Sequence, residues 1–455
     1  MEFANAAVVG VGDLGAGQPQ GLPVRDGRLG ILDSRVRGND LEGACRVEGA
    51  NWDRGCGRGA GEIVGAEAVL TLELVFVRND SLIGTGKMTT SQSDRAPDVL
   101  RVRRLLLRWF AGHRRELPWR RRGDAYAVWV SEIMLQQTQV ATAEPYYVRF
   151  LERFADVESL AEAGFEEVLK QWEGLGYYSR ARNLHRTAKL VVGEYGGEFP
   201  SEAAELRKLP GIGRYTAGAI ASIAFGRDEA VVDGNVARVL CRLFDVGGPV
   251  KSSAVQKRLW RLAEALAPRG RAGDFNQALM DLGALACTVR SPACEGCPVR
   301  SECLGRARGR QERLPNSGGR QPTPHYDVAA AIIRKGGRVL IDRRPSTGLL
   351  AGMWEFPGGK REAGETLEEA VVREVREEVG IEVEVVERFV AVDHAYSHFR
   401  ITLHTFLCRH VGGRARAIGC DAVRWVGVDE LEKYPFPAAN RKVIAALKDR
   451  AACGR

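Results

Sequence analysis

The spacing of apolar residues changes once along the chain, and this change constrains the fold more than any other feature. From about Ala96 to Leu304, apolar residues recur at intervals of three and four, as on one face of a helix. After residue 326 apolar and polar residues alternate, which indicates strands, and one helical segment, TLEEAVVREVREEVG, interrupts them. We therefore predict an all-α domain over residues 96–304, followed by an α/β domain over residues 327–455.

Two further segments carry neither pattern. Residues 305–326 are polar, basic and interrupted by Pro and Gly, which is typical of an interdomain linker. Residues 1–95 are mostly irregular and rich in glycine, and Met88 stands shortly before the first helical pattern. We interpret residues 1–95 as a disordered extension or as a mis-assigned upstream start.

Composition narrows the class of protein. The apolar share is 45%, but there is no apolar run of the length that a membrane helix needs and no export signal. These features predict a cytoplasmic enzyme without a membrane contact. The net charge of +8 and the pI near 9.0 favour a polyanionic partner, although many basic proteins bind no nucleic acid.

A cluster of cysteines ends the helical region in the segment CTVRSPACEGCPVRSEC. Disulfides are not expected in a chain without an export signal, so this density indicates a metal site. Four thiolates can hold one zinc ion or a [4Fe–4S] cluster, and a single compact loop after a helix favours the cluster. The four ligands would be Cys287, Cys294, Cys297 and Cys303. Neighbouring arginines would present positive charge to phosphates: Arg290, Arg300, Arg306 and Arg308.

The stretch LPGIGRYTAG predicts a tight turn before a helix. Gly211 and Gly213 allow successive backbone N–H groups to point outward at the helix N-terminus, where they can bind a phosphate of a DNA backbone. About twenty residues later, VVDGNVARV places Asp233 at the start of another helix. Taken alone, Asp233 is an ordinary N-cap.

These motifs, in this order, resemble the helix-hairpin-helix base-excision glycosylases that end in an iron–sulfur loop. The segments LPWR, SEIMLQQTQVAT and GLGYYSRARNLH make the chain similar to the MutY-type adenine DNA glycosylases, from about Arg104 to Ala446. The resemblance implies an enzyme that excises adenine mispaired with 8-oxoguanine or guanine in double-stranded DNA. We expect it to act as a monomer associated with the nucleoid.

The resemblance also assigns catalytic roles. Glu132 matches the acid that protonates the leaving adenine, and Asp233 matches the carboxylate that stabilises the oxocarbenium-like sugar. Related enzymes that also cut the backbone have a lysine at the position of Tyr215, because an amine can form a Schiff base. Tyr215 therefore implies a monofunctional glycosylase, with Tyr215 and Asn235 positioning Asp233 and the sugar. The alternatives without a catalytic role are that Glu132 is an exposed carboxylate on a helix and that Tyr215 packs in the hydrophobic core.

Adenine must leave the duplex to be cut, at a cost of a few kcal/mol. By resemblance, Gln137 and Tyr177 enter the vacated stack. The residues around the extruded adenine would be Trp119, Arg120, Leu135 and Gln277. Trp119 and Leu135 could instead belong to the hydrophobic core.

The α/β region contains a complete Nudix box in GGKREAGETLEEAVVREVREEVGI. Thr366 and Glu369 have the spacing of a capping box, and Gly380 stands where a helix C-cap is expected. The box carboxylates on one helix face could bind Mg²⁺ or Mn²⁺ on a nucleotide diphosphate, whereas an isolated acidic face is usually only solvated. They are Glu374, Glu377 and Glu378.

In MutY-type enzymes this domain generally lacks a working metal box and recognises 8-oxoguanine. The resemblance places that recognition in HAYSHF, at Tyr396, Ser397 and His398, which could otherwise be an ordinary strand segment. The complete box leaves open some hydrolysis of oxidised nucleoside triphosphates. Two alternatives follow: a Nudix hydrolase tethered to DNA, and a lesion-binding scaffold without catalysis, which the joint presence of Glu132 and Asp233 disfavours.

Overall fold

The computed structural model describes residues 96–316, 322–396 and 398–453, with side chains to residue 451. The predicted extension over residues 1–95 and the residue Ser397 lie outside the described residues. The first domain is helical, as the periodicity predicted. Its elements are α1 (Val99–His113), α2 (Pro118–Arg122), α3 (Ala125–Leu135), α4 (Val140–Arg153), α5 (Val157–Glu162), α6 (Phe165–Trp172), α7 (Ser179–Tyr195), α8 (Ala203–Leu206), α9 (Arg214–Ala224), α10 (Gly234–Leu243), α11 (Ser253–Leu266), α12 (Ala272–Leu285), the 3₁₀ helix η1 (Cys294–Gly296) and α13 (Leu304–Ala307).

The helical domain has two hydrophobic cores. The first lies among α3, α4, α6 and α7, and the second among α1, α10, α11 and α12. Helix α9 contacts both: Ile220 packs into the first core and Ala219 into the second. Leu209 and Ile212 of the turn LPGIG, which precedes α9, pack into the first core. None of the described helices combines the length and the apolar character that a bilayer span requires.

The segment DAYAVWVSEIMLQQTQVA differs from its periodic pattern. The pattern predicts one continuous helix, but α3 ends at Leu135 and α4 begins at Val140. Gln137 adopts a left-handed backbone with φ 57°. A buried guanidinium explains the break, because Arg180 donates to the carbonyl oxygens of Met134 at 2.8 Å and Gln136 at 2.5 Å. These carbonyls lie at a helix end, where they have no intrahelical partner.

The second domain is an α/β sandwich around one mixed sheet. Its elements are β1 (His325–Lys335), β2 (Arg338–Arg343), β3 (Trp354–Glu355), β4 (Gly358–Lys360), α14 (Leu367–Val379), β5 (Glu382–Ala395), β6 (Arg400–Gly412), β7 (Ala422–Val426), the 3₁₀ helix η2 (Val428–Lys433) and α15 (Ala438–Cys453). The strand order is β3-β2-β1-β6-β5, with β1 and β6 parallel, while β4 pairs with β1 and β7 with β2. Apolar residues of α14 pack on one face of the sheet and those of α15 on the other.

Local sequence signals account for the start and end of α14. Thr366 accepts from the backbone N–H of Glu369, and the Glu369 carboxylate accepts from the backbone N–H of Thr366. Gly380 ends the helix with φ 67°, a conformation that favours glycine. The predicted capping box and C-cap are both confirmed.

Helix α6 of the first domain contacts the second domain through three polar side chains. Glu166 accepts a 2.6 Å hydrogen bond from the Trp354 indole N–H. Lys170 donates to the Tyr434 carbonyl, and Glu173 pairs with Arg441. Met353, in the loop before β3, is buried in the first helical core. The helical domain and the α/β domain thus share packed side chains.

Part of the predicted linker is held against the helical domain. Leu314 is buried in the second core, and the Val250 backbone N–H donates to the Asn316 carbonyl at 2.9 Å. Arg308 and Arg310 both pair with Asp245. These contacts fix residues 305–316 on the surface that also carries the cysteine loop.

The crossing of α9 and α12 leads to a prediction. A Cβ atom at Gly273 would lie 2.4 Å from the Ser222 carbonyl oxygen, so the two helices must separate in Gly273→Ala. We expect a loss of about 1–3 kcal/mol of stability, seen as a lower unfolding temperature. The matched control is Gly193→Ala at an exposed position of α7, where no atom lies within 4 Å of the added Cβ and alanine is the better helix former. Equal unfolding temperatures for the two variants would contradict this account.

Candidate active site

Glu132 and Tyr215 meet between α3 and α9. The Tyr215 hydroxyl donates a 2.5 Å hydrogen bond to Glu132 Oε2, and Glu132 is only 6% exposed. Burial raises the pKa of Glu132 to about 7; the Tyr215 hydrogen bond lowers this pKa and the nearby charge of Asp233 raises it. Near neutral pH, Glu132 therefore exists both with and without its proton.

Asp233 caps the N-terminus of α10 and is half-buried. Its Oδ1 accepts from the Val236 backbone N–H at 2.6 Å, and its Oδ2 accepts from the Asn235 amide at 3.1 Å. Burial raises the pKa of Asp233, while both hydrogen bonds favour the carboxylate form. Burial, followed by the charges of Glu132 and Asp233, also raises the pKa of Tyr215, so these three groups are neighbours. Asp233 can be both the N-cap of α10 and the predicted catalytic carboxylate, because this N-cap position lies beside Glu132 and Tyr215.

The two glycines of the turn before α9 have different conformations. Gly211 has φ 79°, and a Cβ atom there would meet the Asn183 side chain at 2.8 Å. Gly213 is the N-cap of α9 in an extended conformation, and no side chain caps this helix. The backbone therefore requires glycine only at position 211, and phosphate binding at the start of α9 stays a prediction.

Gln137 and Tyr177 share an unusual conformation. Both are non-glycine residues in the left-handed region, with φ 57° and 49°. Such strain is often found at functional sites. Buried Arg180 joins their loops, because it donates to the carbonyl of Gln136 at 2.5 Å and to that of Gly176 at 3.1 Å. Its guanidinium also lies 5.3 Å from the Tyr177 ring centroid.

The predicted adenine-pocket residues are held in different ways. Trp119 is buried edge-on against Tyr147, and Leu135 is half-buried against the first core. Arg120 lies near Glu132, whose pKa it lowers, and pairs with Asp281 at 2.7 Å. The Gln277 amide donates to the Gly273 carbonyl within α12.

Helix α12 adds two residues that sequence reasoning missed. Met280 Sδ lies 4.0 Å from the Tyr215 hydroxyl, and fully buried Asp281 binds both Arg115 and Arg120. Asp281 could have been found from the sequence, because it is a charged residue in the segment DFNQALMDLGALAC, four positions after Gln277. That spacing puts both residues on one helix face.

The four predicted ligand cysteines lie on one loop between α12 and α13. Burial raises the pKa of Cys297 to about 12 and also raises those of Cys294 and Cys303, so their thiolates need a cationic partner. Around one zinc ion, with Zn–S of about 2.3 Å, the sulfurs would lie about 3.8 Å apart. Among the described residues, no three of these sulfurs lie within 4.8 Å of one another. In this structure the four thiols are therefore spaced more widely than around one zinc ion.

Arg242 and Arg238 connect this loop to α10, and both were missed. Arg242 is 2% exposed and donates to Cys287 Sγ at 3.3 Å and to the Thr288 carbonyl at 2.6 Å. Arg238 donates to the Cys287 carbonyl and to the Asn235 side chain, both at 2.8 Å. A hydrogen-bonded path thus runs from Asp233 through Asn235 and Arg238 to the cysteine loop. The signal in the sequence was two arginines four residues apart in an otherwise apolar helix.

The arginines around the loop are mostly paired. Arg300 and Arg306 contact Glu295, and Arg308 contacts Asp245. Arg290 is exposed. The positive surface that the sequence predicted is therefore partly neutralised by two acidic neighbours.

The predicted 8-oxoguanine loop lies at the boundary of the two domains. Tyr396 lies near Tyr178 of the GLGYY segment: burial raises the pKa of Tyr178, and the nearby Tyr396 phenol adds to the increase. Burial, then the charge of Glu355, raises the pKa of Tyr396 to about 12. His398 is exposed, and Ser397 lies outside the described residues.

The Nudix carboxylates form two groups. Arg373 pairs with Glu374 at 3.0 Å and with exposed Glu377 at 3.2 Å. Glu378 instead lies with Asp342 of β2 and Glu355 of β3, and their carboxylate oxygens are within 4.8 Å of one another. Burial, followed by the charge of Glu355, raises the pKa of Glu378 to about 8. Asp342 and Glu355 were missed, because they lie outside the box and each is surrounded by apolar strand residues.

Comparisons with known proteins agree with this organisation. Residues 130–265 match the HhH-GPD superfamily base excision DNA repair protein family, and residues 328–446 match the NUDIX domain. The adenine DNA glycosylase of Homo sapiens is 39% identical over 403 residues, which are 76% of this chain and 74% of the human protein. That of Rattus norvegicus is 38% identical over 77% of this chain and 79% of the rat protein. A thermostable thymine-DNA glycosylase of known structure is 31% identical and covers 48% of this chain and 97% of its own, with a TM-score of 0.42. The chain belongs to the adenine DNA glycosylase family of base excision repair, with a helix-hairpin-helix glycosylase domain and a C-terminal Nudix domain.

Proposed function

We propose that this glycosylase removes adenine paired with 8-oxoguanine or guanine from double-stranded DNA and leaves an abasic site. One observation carries the proposal: Glu132, with a pKa of about 7, lies beside Asp233 at the meeting point of α3, α9 and α10. A proton donor and an anion at one place are what N-glycosidic cleavage requires. The human and rat relatives are named adenine DNA glycosylases, which supports adenine as the base.

The two carboxyl groups have different partners, which supports different roles. Glu132 accepts one hydrogen bond, from Tyr215, and in its protonated form donates its proton to the departing adenine. Asp233 accepts hydrogen bonds from Val236 N–H and the Asn235 amide, which hold its carboxylate toward the positive charge that develops on the sugar. Asn235 is a positioning residue, since it acts through Asp233.

Tyr215 supports the monofunctional reaction. A lyase needs an amine that attacks the sugar and forms a Schiff base. Tyr215 presents a phenol, and burial raises its pKa well above the ordinary value. This neutral hydroxyl orients Glu132 and forms no covalent bond with the sugar.

The cysteine loop and the Nudix loop complete the proposal. The donor set of Cys287, Cys294, Cys297 and Cys303 suits a [4Fe–4S] cluster, which would hold the loop rigid beside α10. Tyr396, which lies near Tyr178, would contact the base opposite the adenine together with Ser397 and His398. Gln137 and Tyr177 would occupy the gap that the flipped adenine leaves.

A duplex assay tests the reaction. Duplexes containing adenine opposite 8-oxoguanine, guanine or thymine are incubated with the protein and analysed with and without alkali. We expect cleavage after alkali for 8-oxoguanine and guanine pairs, and no strand break without alkali. Glu132→Gln should lower the single-turnover rate by about 10²–10⁴-fold, since it cannot donate the proton. Glu152→Gln, an exposed change on α4, is the matched control and should cleave like the wild type.

Three results would overturn parts of this proposal. Strand breaks without alkali would exclude the role given to Tyr215. Equal cleavage opposite thymine and 8-oxoguanine would exclude mispair recognition. Wild-type rates in Glu132→Gln would exclude Glu132 as the acid.

The pH dependence provides a separate test. The acid must carry its proton, and the pKa of Glu132 is about 7, so kcat/KM should be high below this pH and fall as pH rises through it. Tyr215→Phe removes the hydrogen bond that lowers this pKa, so the falling limb should move to higher pH, whatever the change in absolute rate. A limb that stays in place in Tyr215→Phe would show that Glu132 does not set it.

A second activity is favoured by the complete Nudix box on a correctly capped helix. We propose that the protein also hydrolyses oxidised nucleoside triphosphates with Mg²⁺ or Mn²⁺ held by Glu374, Glu377 and Glu378. The full chain incubated with 8-oxo-dGTP and Mg²⁺ should release pyrophosphate; Glu377→Gln should abolish the release, and Glu132→Gln should leave it unchanged. No turnover by the wild type would remove this activity and leave the glycosylase proposal intact.

A further inference from the structure

Three carboxylates from separate parts of the Nudix fold converge at one point. Asp342 comes from β2, Glu355 from the paired strand β3, and Glu378 from the C-terminal turn of α14. One oxygen of each lies within 4.8 Å of those of the other two. Like charges at this separation repel strongly in a buried place, so a compensating group is required.

Among the described residues, no group forms a hydrogen bond to the Asp342 carboxylate, and Asp342 is only 1% exposed. Buried carboxylates are normally hydrogen-bonded, paired or bound to a metal. Asp342 is directed into a cluster that contains only other acceptors from Glu355 and Glu378.

The surrounding groups compensate only part of the charge. Arg344 pairs with Glu355 at 2.6 Å, and the Gly358 backbone N–H donates to Glu378 Oε2 at 2.9 Å. Glu374 is nearby, but Arg373 already binds it. With all three carboxylates ionised and one guanidinium present, two negative charges remain. A divalent cation would neutralise them.

We propose that Asp342, Glu355 and Glu378 bind a divalent cation of the oxygen-preferring class, Mg²⁺ or Mn²⁺. The donor set contains only carboxylate oxygens, which suit these ions. The site shares Glu378 with the Nudix box, but its other two ligands come from the sheet. It does not depend on adenine excision, and because it shares Glu378 with the proposed hydrolysis site, it is tested by ion binding without nucleotide and not by turnover.

The expected consequence is structural. The ion would join β2, β3 and the end of α14, and β3 follows the loop that places Met353 in the helical core. A ligand that binds only the folded state raises the unfolding temperature. Cation binding should therefore stabilise the Nudix domain and its contact with the glycosylase domain.

Mn²⁺ serves as the probe on the full-length protein after removal of divalent ions. Bound Mn²⁺ is counted from the loss of the free-ion electron paramagnetic resonance signal, and unfolding temperature is recorded with and without Mn²⁺. We expect one Mn²⁺ per chain with an accompanying rise in unfolding temperature. Asp342→Asn should weaken binding by about 10–100-fold, the scale seen when metal-site residues are altered. Without Mn²⁺, this variant should unfold at the same or a higher temperature than the wild type, because an unpaired buried charge is gone.

Two glutamates on the same helix complete the test. Glu368→Gln is exposed in the first turn of α14 and should bind Mn²⁺ like the wild type. Glu377→Gln removes a ligand proposed for nucleotide hydrolysis and is therefore the discriminating variant: without nucleotide, it should weaken Mn²⁺ binding less than Asp342→Asn does. Absence of Mn²⁺ binding at millimolar concentration, or unchanged binding in Asp342→Asn, would overturn the proposal. Loss of the ion in Glu377→Gln but not in Asp342→Asn would assign it to the box instead and overturn the proposal equally.

Discussion

The candidate active site depends on one constraint: the Glu132 carboxyl group is buried beside the Tyr215 phenol. Helix α3 is buried on nearly all sides from Tyr126 to Met134, so Glu132 has no face of the helix through which to reach solvent. Burial and the nearby charge of Asp233 disfavour its charged form, while the Tyr215 hydroxyl and the charge of Arg120 favour it. The balance puts the pKa in the range that acid catalysis near neutral pH requires. Both helices pack in the cores, so the carboxyl and phenol stay aligned.

Buried arginines then connect this centre to the loops around it. Arg180 binds the loops of Gln136 and Gly176, Arg238 binds Asn235 and Cys287, and Arg242 binds the cysteine loop. A buried guanidinium is costly unless its donors are satisfied. Arg238 and Arg242 meet that condition, and Arg180 meets it with its two terminal nitrogens, mostly through backbone carbonyls at helix ends or in loops. Arg180 thereby holds the two predicted DNA-contact loops together, and a separate set of hydrogen bonds through Arg238 and Arg242 connects Asp233 with the cysteine loop.

Much of the fold could be predicted because its signals are local. The period of the apolar residues identified the helical domain, and the Thr366–Glu369 spacing and Gly380 identified the two ends of α14. The break after Leu135 could not be predicted in this way, since the pattern of SEIMLQQTQVA continues through it. It depends on Arg180, more than forty residues away in the sequence, which binds the free carbonyls. The same limit applies to Asp281 and Asp342, whose partners or neighbours come from distant segments.

For the function, the sequence by itself determined which chemical groups are present and in what order: two carboxyls, a tyrosine where a lyase has lysine, four clustered thiols and a complete Nudix box. Only the tertiary structure decided which of these groups meet and in which protonation state. Glu132 and Tyr215 are 83 positions apart, and their hydrogen bond exists because α3 and α9 pack together. Glu378 lies beside Asp342 and Glu355, and not with the other box glutamates, because α14 packs against the sheet. Proximity and burial set the pKa of a carboxyl group, and both arise from packing between elements that are remote along the chain.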